Sequence, residues 1–391
     1  MNIVLLSNAM GRGGAEMQIK DYAKLLVRRG HRVAVVSMLP FEEFRDELRD
    51  AGVETFSLEM QRGKASAVAL TKLVGLLIRL RPDVLHAHMF AAILASRIAR
   101  AVLEPLRLAG ISPPAIIGTS HSPFERATRR YIAYRVTDRF SDLWTNVCQA
   151  GVDEHTLRRA VRADKTMCTS NGVDVTHFAP DPLVRRAKRA ELGVDDDTFL
   201  WLSVGSFRDD QKDYPNLLRA AAQLPSDRAW KIAIAGGGEL LGDTRKLAHD
   251  LGLGDRVDIL GLRSDVRELM QASDAFVLAS WFEAMPIVLL EAAACALPCV
   301  VTDVGQNRTI VVEGTGLVVP PRDTPALSAA METMLRIPAD ERHEIGQRAR
   351  AHAVAELSLD VVVRAWEARY AEAASSVGRH VELPTPMESS S

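Results

Sequence analysis

The sequence predicts an α/β fold made of two successive parallel-sheet domains. Three observations carry this reading. Short apolar runs alternate with longer amphipathic segments through the first half of the chain. The alternation breaks once, at residues 171–182, where Asn-Gly and two prolines fall close together, and then it restarts. With 391 residues, each of two domains has length enough for a core of its own.

Taken in order, strands are expected at 3–6, 33–38, 53–58, 84–87, 115–119 and 143–147. Between them helices are expected at 15–29, 42–50, 65–80, 91–102 and 126–140, with Gly30 and Gly52 placed to end two of them as C′ glycines. Beyond the break, strands are expected at 199–204, 232–235, 257–260, 275–278, 299–301 and 317–319. From Leu359, Val363, Trp366 and Tyr370 recur at helical spacing, which predicts a last helix crossing back onto the first domain. The Ser/Pro-rich residues after about 375 predict a disordered tail. The expected organisation is therefore 1–180, 181–358, a returning helix at 359–374 and a tail at 375–391.

Hydrophobic residues at 47% and charged residues at 25% are the balance of an ordinary globular protein. The net charge of −2 is unevenly spread: residues 1–180 carry 25 Lys+Arg against 18 Asp+Glu, and residues 181–391 carry 23 against 32. The first half thus suits an anionic surface or acceptor, such as phospholipid or a lipid diphosphate. Arg126, Arg129, Arg130, Arg135 and Arg139, interleaved with Tyr131 and Tyr134, read either as a solvated basic helix face or as a headgroup-docking one. Cys148, Cys168, Cys295 and Cys299 show no metal-ligand spacing and read as buried thiols in a reducing compartment. The N-terminus reads as a strand rather than a signal peptide, and no 18-residue apolar run occurs. A cytoplasmic protein is expected, at most peripheral on the inner face of the plasma membrane, with no nucleic-acid partner.

The chemistry concentrates at strand-to-helix turns. Ser280-Trp-Phe-Glu283-Ala-Met285-Pro286-Ile287-Val-Leu-Leu-Glu291 sets two carboxylates eight residues apart, following the strand at 275–278. Pro286 suits a helix start, because its missing N–H would have no intrahelical partner. Glu283 then lies in the crevice at a strand's carboxyl end, where open α/β sheets bind ligands, and Glu291 about two turns into the helix. Carboxylates accept from sugar or ribose hydroxyls and a helix N-terminus attracts phosphate, a combination that suits a nucleotide-sugar.

In Val204-Gly205-Ser206-Phe-Arg208-Asp-Asp-Gln-Lys212, Arg208 and Lys212 would neutralise a diphosphate leaving group. Gly236-Gly237-Gly238 is a second flexible backbone loop after a strand. Gly11-Arg12-Gly13-Gly14 follows the first strand and lets backbone N–H groups approach a phosphate or substrate. It lacks the third glycine of the dinucleotide pattern, and no ribose-binding acid ends the second strand, which argues against a nicotinamide cofactor. His86 and His88 share one face of the fourth strand, and His121 follows the fifth, so three imidazoles approach one sheet edge. No carboxylate or thiol completes a metal set with them.

Together these segments resemble the retaining glycosyltransferases of family 4, from about residue 1 to 370. The resemblance rests on the Glu283/Glu291 pair, Lys212, Ser170-Asn-Gly-Val-Asp174 before Phe178-Ala-Pro180, and Pro298-Cys-Val-Val-Thr-Asp-Val-Gly305. It implies the GT-B architecture, two Rossmann-like β/α/β domains facing each other across a cleft. It implies that Lys212 binds the donor diphosphate, Glu291 the ribose and Glu283 the transferred sugar's hydroxyls, with His121 beside that sugar. Gly13, Gly14, Gly205, Arg208, Gly237, Met285, Pro286 and Ile287 would complete the donor site, while Gly11, Arg12, His86 and His88 would fall on the acceptor side. The chain departs from the family at Ser206, where an Arg is usual and Arg208 is expected to substitute, and at Ala284 and Ala296, where glycines are usual. Thr309 replaces an acid often found after the V-G-G segment.

The implied reaction moves a sugar from a nucleotide-diphosphate sugar, UDP-linked in preference to GDP-linked, to a saccharide hydroxyl with retention and without a bound metal or cofactor. A lipid-linked acceptor in cell-surface polysaccharide or glycolipid synthesis is expected. A sugar-nucleotide-binding module without catalysis, and a GT-B sugar-nucleotide epimerase, are the alternatives.

Overall fold

The structure is a computed structural model that describes residues 1–11, 13–379 and 381. It divides into two compact units. One joins Met1–Asn171 to the segment from Leu359 onward, and the other is Gly172–Ser358. The division falls earlier than residue 180. The backbone explains this, because Val173 pairs with Ser358 and Arg350 donates to the carbonyls of Val175 and Phe178. These bonds tie 172–180 into the second unit.

The first unit holds seven parallel strands: β1 (Asn2–Ser7), β2 (Arg32–Ser37), β3 (Glu54–Ser57), β4 (Val84–His88), β5 (Ala115–Ser120), β6 (Leu143–Asn146) and β7 (Thr166–Cys168). Their order is β3-β2-β1-β4-β5-β6-β7. Alternation along β1 sends Ile3 and Leu5 to one face and Val4 and Leu6 to the other, and helices cover both, as a parallel sheet requires. The C-terminal helix Leu359–Ser376 belongs to the first of these faces, burying Val363, Trp366 and Tyr370 beside Leu5, Val84 and Ile117. Arg29 makes a bidentate pair with Glu367 at 2.9 and 2.8 Å, and His31 Nε2 lies 2.8 Å from the same carboxylate.

The second unit holds six parallel strands: β8 (Phe199–Val204), β9 (Trp230–Ala235), β10 (Val257–Gly261), β11 (Ala275–Leu278), β12 (Cys299–Thr302) and β13 (Gly316–Val319), ordered β10-β9-β8-β11-β12-β13. Its core packs Trp201, Ile232 and Val277 against Leu217, Leu218, Leu327 and Met331. In both sheets the order reverses beside the first strand, between β1 and β4 and between β8 and β11. Such switch points open a crevice at the carboxyl ends of the strands.

Two elements differ from expectation. β7, only three residues long and at the sheet edge, carries no apolar run to announce it. The last helix runs on to Ser376, past the expected start of the tail; residues 382–391, together with Arg12 and His380, lie outside the described residues.

Candidate active site

The switch point of the second unit gathers side chains from three loops. After β8 the chain makes a short 3-10 turn, Asp210–Lys212, and enters the helix Tyr214–Ala221, which Asp213 caps by accepting from the Asn216 N–H. This turn brings Lys212 back across the strand end, where its Nζ lies 2.5 Å from Glu283 Oε1. A Cβ on Gly205 would stand 2.8 Å from Lys212 Cε, so glycine there lets the lysine stem lie against the backbone. Gly236, at φ +153, brings the next loop even closer, since a Cβ there would meet the Gly205 carbonyl oxygen at 1.8 Å. Phe207 N–H donates to the Gly237 carbonyl at 3.0 Å and stitches the two loops together.

Glu283 follows β11 and is buried. Its Oε1 also accepts from Ser280 Oγ at 2.8 Å. Its Oε2 has no hydrogen-bond partner among the described residues. The Glu283 loop is braced from two sides. Gln211 Nε2 donates to the Phe282 carbonyl at 2.8 Å, and the Gln306 N–H donates to the Ala284 carbonyl at 2.8 Å. Pro286 is the cap residue and Ile287 the first residue of the helix Ile287–Ala294, with Met285 buried just before it. Glu291 is buried about one turn into this helix, not two, because it lies only four residues after Ile287, the first helical residue.

Arg208 is not brought to this cluster. Its side chain is exposed, and only its backbone N–H is fixed, by Ser206 Oγ at 3.1 Å. Three neighbours were not singled out from the sequence. Ser280 has a role only through its contact with Glu283. Trp281 joins its indole N–H to the Asp210 carbonyl at 3.0 Å and lies under the Arg322 guanidinium at 4.4 Å. Tyr214 stacks on Phe207 at 4.2 Å, its hydroxyl buried without a partner among the described residues, and burial with nearby Glu283 raises its pKa. A tyrosine two residues after a lysine carries no sequence signal for this.

In the first unit, Gly13 caps the helix Gly14–Arg28 and Gly11 lies beside Glu42; Arg12, between them, is outside the described residues. The strand register places Ser7, His88, Thr119 and Thr145 in one row across the ends of β1, β4, β5 and β6. His88 Nδ1 lies 3.1 Å from Nε2 of half-buried His121. His86 has both nitrogens occupied, by the Tyr370 hydroxyl and by Thr119 Oγ1, each at 2.7 Å. His86 and His88 are fully buried, so the structure does not put either ring on an acceptor-facing surface. Period-2 geometry set them on one face, but that face is covered by Trp366 and Tyr370 of the C-terminal helix. Burial lowers the pKa of His86 to about 3 and of His121 to about 4, and holds His88 well below its ordinary value. All three are neutral at pH 7.

None of the four thiols is in a disulfide, and Cys168 is half-buried rather than buried. Burial pushes Cys148 up to about 11 and Cys295 to about 12. Among the described residues no cluster of three or more His, Cys, Asp or Glu side chains could hold a metal ion, and no helix is long and apolar enough to cross a membrane.

Two family models tile the chain, Glycosyltransferase Family 4 over residues 12–177 and Glycosyl transferases group 1 over residues 184–352. The chain belongs to the family 4 glycosyltransferases. It is 30% identical over 254 residues to the Escherichia coli UDP-Gal:alpha-D-GlcNAc-diphosphoundecaprenol alpha-1,3-galactosyltransferase, covering 62% of this chain and 63% of that protein. It is 35% identical over 241 residues to the D-inositol 3-phosphate glycosyltransferase of Kineococcus radiotolerans, covering 53% and 54%. These matches span between half and two thirds of the relatives' length. The crystal structure of Anabaena HepE in complex with UDP superposes with a TM-score of 0.79 at 23% identity, over 96% of this chain and all of that one. The fold of this family 4 member is GT-B.

Proposed function

We propose that the chain transfers a sugar, with retention, from a UDP-sugar to a hydroxyl of a lipid-linked saccharide in cell-surface polysaccharide or glycolipid synthesis. The observation that carries this is the Lys212–Glu283–Ser280 cluster at the switch point of the second unit. An ammonium has three donors, so Lys212 can keep Glu283 and still bind diphosphate oxygens. The carboxylate is held through Oε1, which leaves Oε2 to accept from a hydroxyl of the transferred sugar. Glu291 takes the ribose hydroxyls, and exposed Arg208 closes on the diphosphate when donor arrives.

The acceptor oxygen attacks the anomeric carbon from the face the diphosphate leaves. The carbon–oxygen bond to the diphosphate breaks, and the acceptor proton passes to the departing phosphate oxygen. Positive charge on Lys212 and Arg208, with the N-terminus of the helix Ile287–Ala294, stabilises the leaving group, so the reaction runs without a bound metal. The likeness to a UDP-Gal-dependent relative acting on a diphosphoundecaprenol substrate favours UDP and a lipid-linked acceptor.

The same reading sets the protein peripherally on an anionic membrane. Phe124, Ile132 and Val136 are exposed apolar residues among exposed Arg126, Arg129 and Arg139. Arg130 is turned away from that face, toward Glu125 at 2.9 Å and the Phe90 ring at 4.6 Å.

The test is metal-free calorimetry with UDP and GDP, followed by transfer assays with UDP-sugars and a polyprenyl-diphosphate saccharide. UDP binding and transfer with an unchanged anomeric configuration are expected. Binding of neither nucleotide, or an inverted product, would sink the proposal.

A further inference from the structure

His88 is fully buried at the end of β4, and none of the roles above uses it. Its hydrogen bond to His121 joins two neutral imidazoles, so one nitrogen must carry the proton and the other must be bare. The remaining nitrogen of His88 decides the direction. His88 Nε2 is buried and has no hydrogen-bond partner among the described residues. Buried N–H groups without an acceptor are rarer in folded proteins than buried acceptors without a donor. The tautomer with the proton on Nδ1 is therefore favoured, and His88 donates to Nε2 of His121.

That fixes the second ring in turn. With Nε2 accepting, the proton of neutral His121 sits on Nδ1. His121 makes no other hydrogen bond with a described residue, so this N–H is available to a ligand oxygen. The support behind His88 is rigid. The His86 ring lies 4.1 Å from the His88 ring, and the Trp366 ring packs 4.5 Å from His86. Tyr370 and Thr119 hold both nitrogens of His86, and Thr119 Oγ1 meets Thr145 Oγ1 at 2.7 Å. A stack anchored on the C-terminal helix thus ends on the one half-buried imidazole of the three.

We propose that His88 is a positioning residue for glycosyl transfer, holding His121 in the tautomer that presents Nδ1–H to a hydroxyl oxygen of the substrate sugar. This rests on the transferase reading above.

Two readouts test it. The first needs no substrate: the imidazole ¹⁵N shifts of His121 in protein labelled at histidine. A protonated Nδ1 and a bare Nε2 are expected, retained in His88→Asn, whose amide N–H reaches the Nδ1 position, and mixed in His88→Leu. The second is the kinetic split. In His88→Leu, kcat should fall on the order of ten- to a hundredfold, as when the partner orienting a working histidine is removed, with donor KM within about threefold. His88→Asn should restore most of kcat. A His121 protonated on Nε2 in the unaltered protein overturns the proposal even if His88→Leu does not fold. So does a His88→Leu protein with unchanged kcat. Failure of the unaltered protein to transfer any sugar would instead sink the transferase reading, and with it the kinetic role of His88, whatever the tautomer.

Discussion

Lys212 and Glu283 are 71 residues apart in sequence, yet their charged groups meet at 2.5 Å because β8 and β11 are neighbours in the sheet. Each group is largely out of water. Removing one partner of such a pair strands the other, at a cost of about 3 kcal/mol. Lys212→Ala should therefore lower stability and weaken UDP binding. Lys212→Met combined with Glu283→Leu should recover most of the stability in denaturant titration but none of the binding. Recovery of nucleotide affinity in the double variant would remove Lys212 from the diphosphate site.

Glu291→Gln keeps the shape of the buried side chain and removes its charge. Nucleotide affinity should drop about tenfold, the worth of one hydrogen bond to a charged group, while affinity for inorganic pyrophosphate stays the same. Calorimetry with both ligands checks this. Equal losses for the two would mean that Glu291 supports the loop rather than the ribose.

Ala296 adopts φ +58 directly after the last turn of the helix Ile287–Ala294. This is the C′ position, where the left-handed conformation favours glycine and costs other residues roughly 1–2 kcal/mol. Part of that is offset by the greater freedom of glycine in the unfolded chain. Ala296→Gly should thus raise stability by about 0.5–1 kcal/mol with UDP affinity unchanged, as read by thermal unfolding with and without nucleotide.

The histidine row makes the fold acid-sensitive. An unfolded histidine takes up a proton near pH 6.5. The folded His86 does so only at about 3 and His121 at about 4, with His88 also lowered. Below pH 6.5 the unfolded state therefore binds more protons, and stability falls as pH falls. Each buried imidazole contributes up to about 1.4 kcal/mol per pH unit. Unfolding titrations at pH 7.5, 6 and 5 should show this loss, and His86→Asn should lessen its slope by up to about 1.4 kcal/mol per pH unit. A flat profile in the unaltered protein would contradict the lowered pKa values of the three rings.

For the membrane face, Ile132→Ser, Val136→Ser and Arg129→Glu together should abolish cosedimentation with anionic vesicles and leave UDP binding intact. Arg130→Glu alone should act mainly through the fold, since Arg130 pairs with buried Glu125. Undiminished sedimentation of the triple variant would exclude this face.

The strands with apolar runs and the E-x7-E turn were legible because both are local: periodicity and a proline mark them within a few residues. Gln211 was not, since it meets the Phe282 carbonyl only when β8 and β11 lie side by side, and Ser280 and Tyr214 were not, since neither residue type at its spacing carries a signal of its own. Arg208 shows the opposite limit: charge and spacing marked it as a site residue, but not that the turn Asp210–Lys212 folds Lys212 inward while Arg208 stays in solvent. The alternation of His86 and His88 gave their shared face correctly, and the spacing of Trp366 and Tyr370 gave the returning helix; what sequence could not give was that this helix covers that face.

The C-terminal helix has a consequence for how this chain matures. The first unit lacks Trp366, Tyr370 and the Glu367 clamp until residues from Leu359 onward exist. The second unit, Gly172–Ser358, is one uninterrupted stretch. During synthesis the later-encoded unit can therefore complete its core first, while the earlier one waits with part of one sheet face uncovered, open to chaperones and proteases.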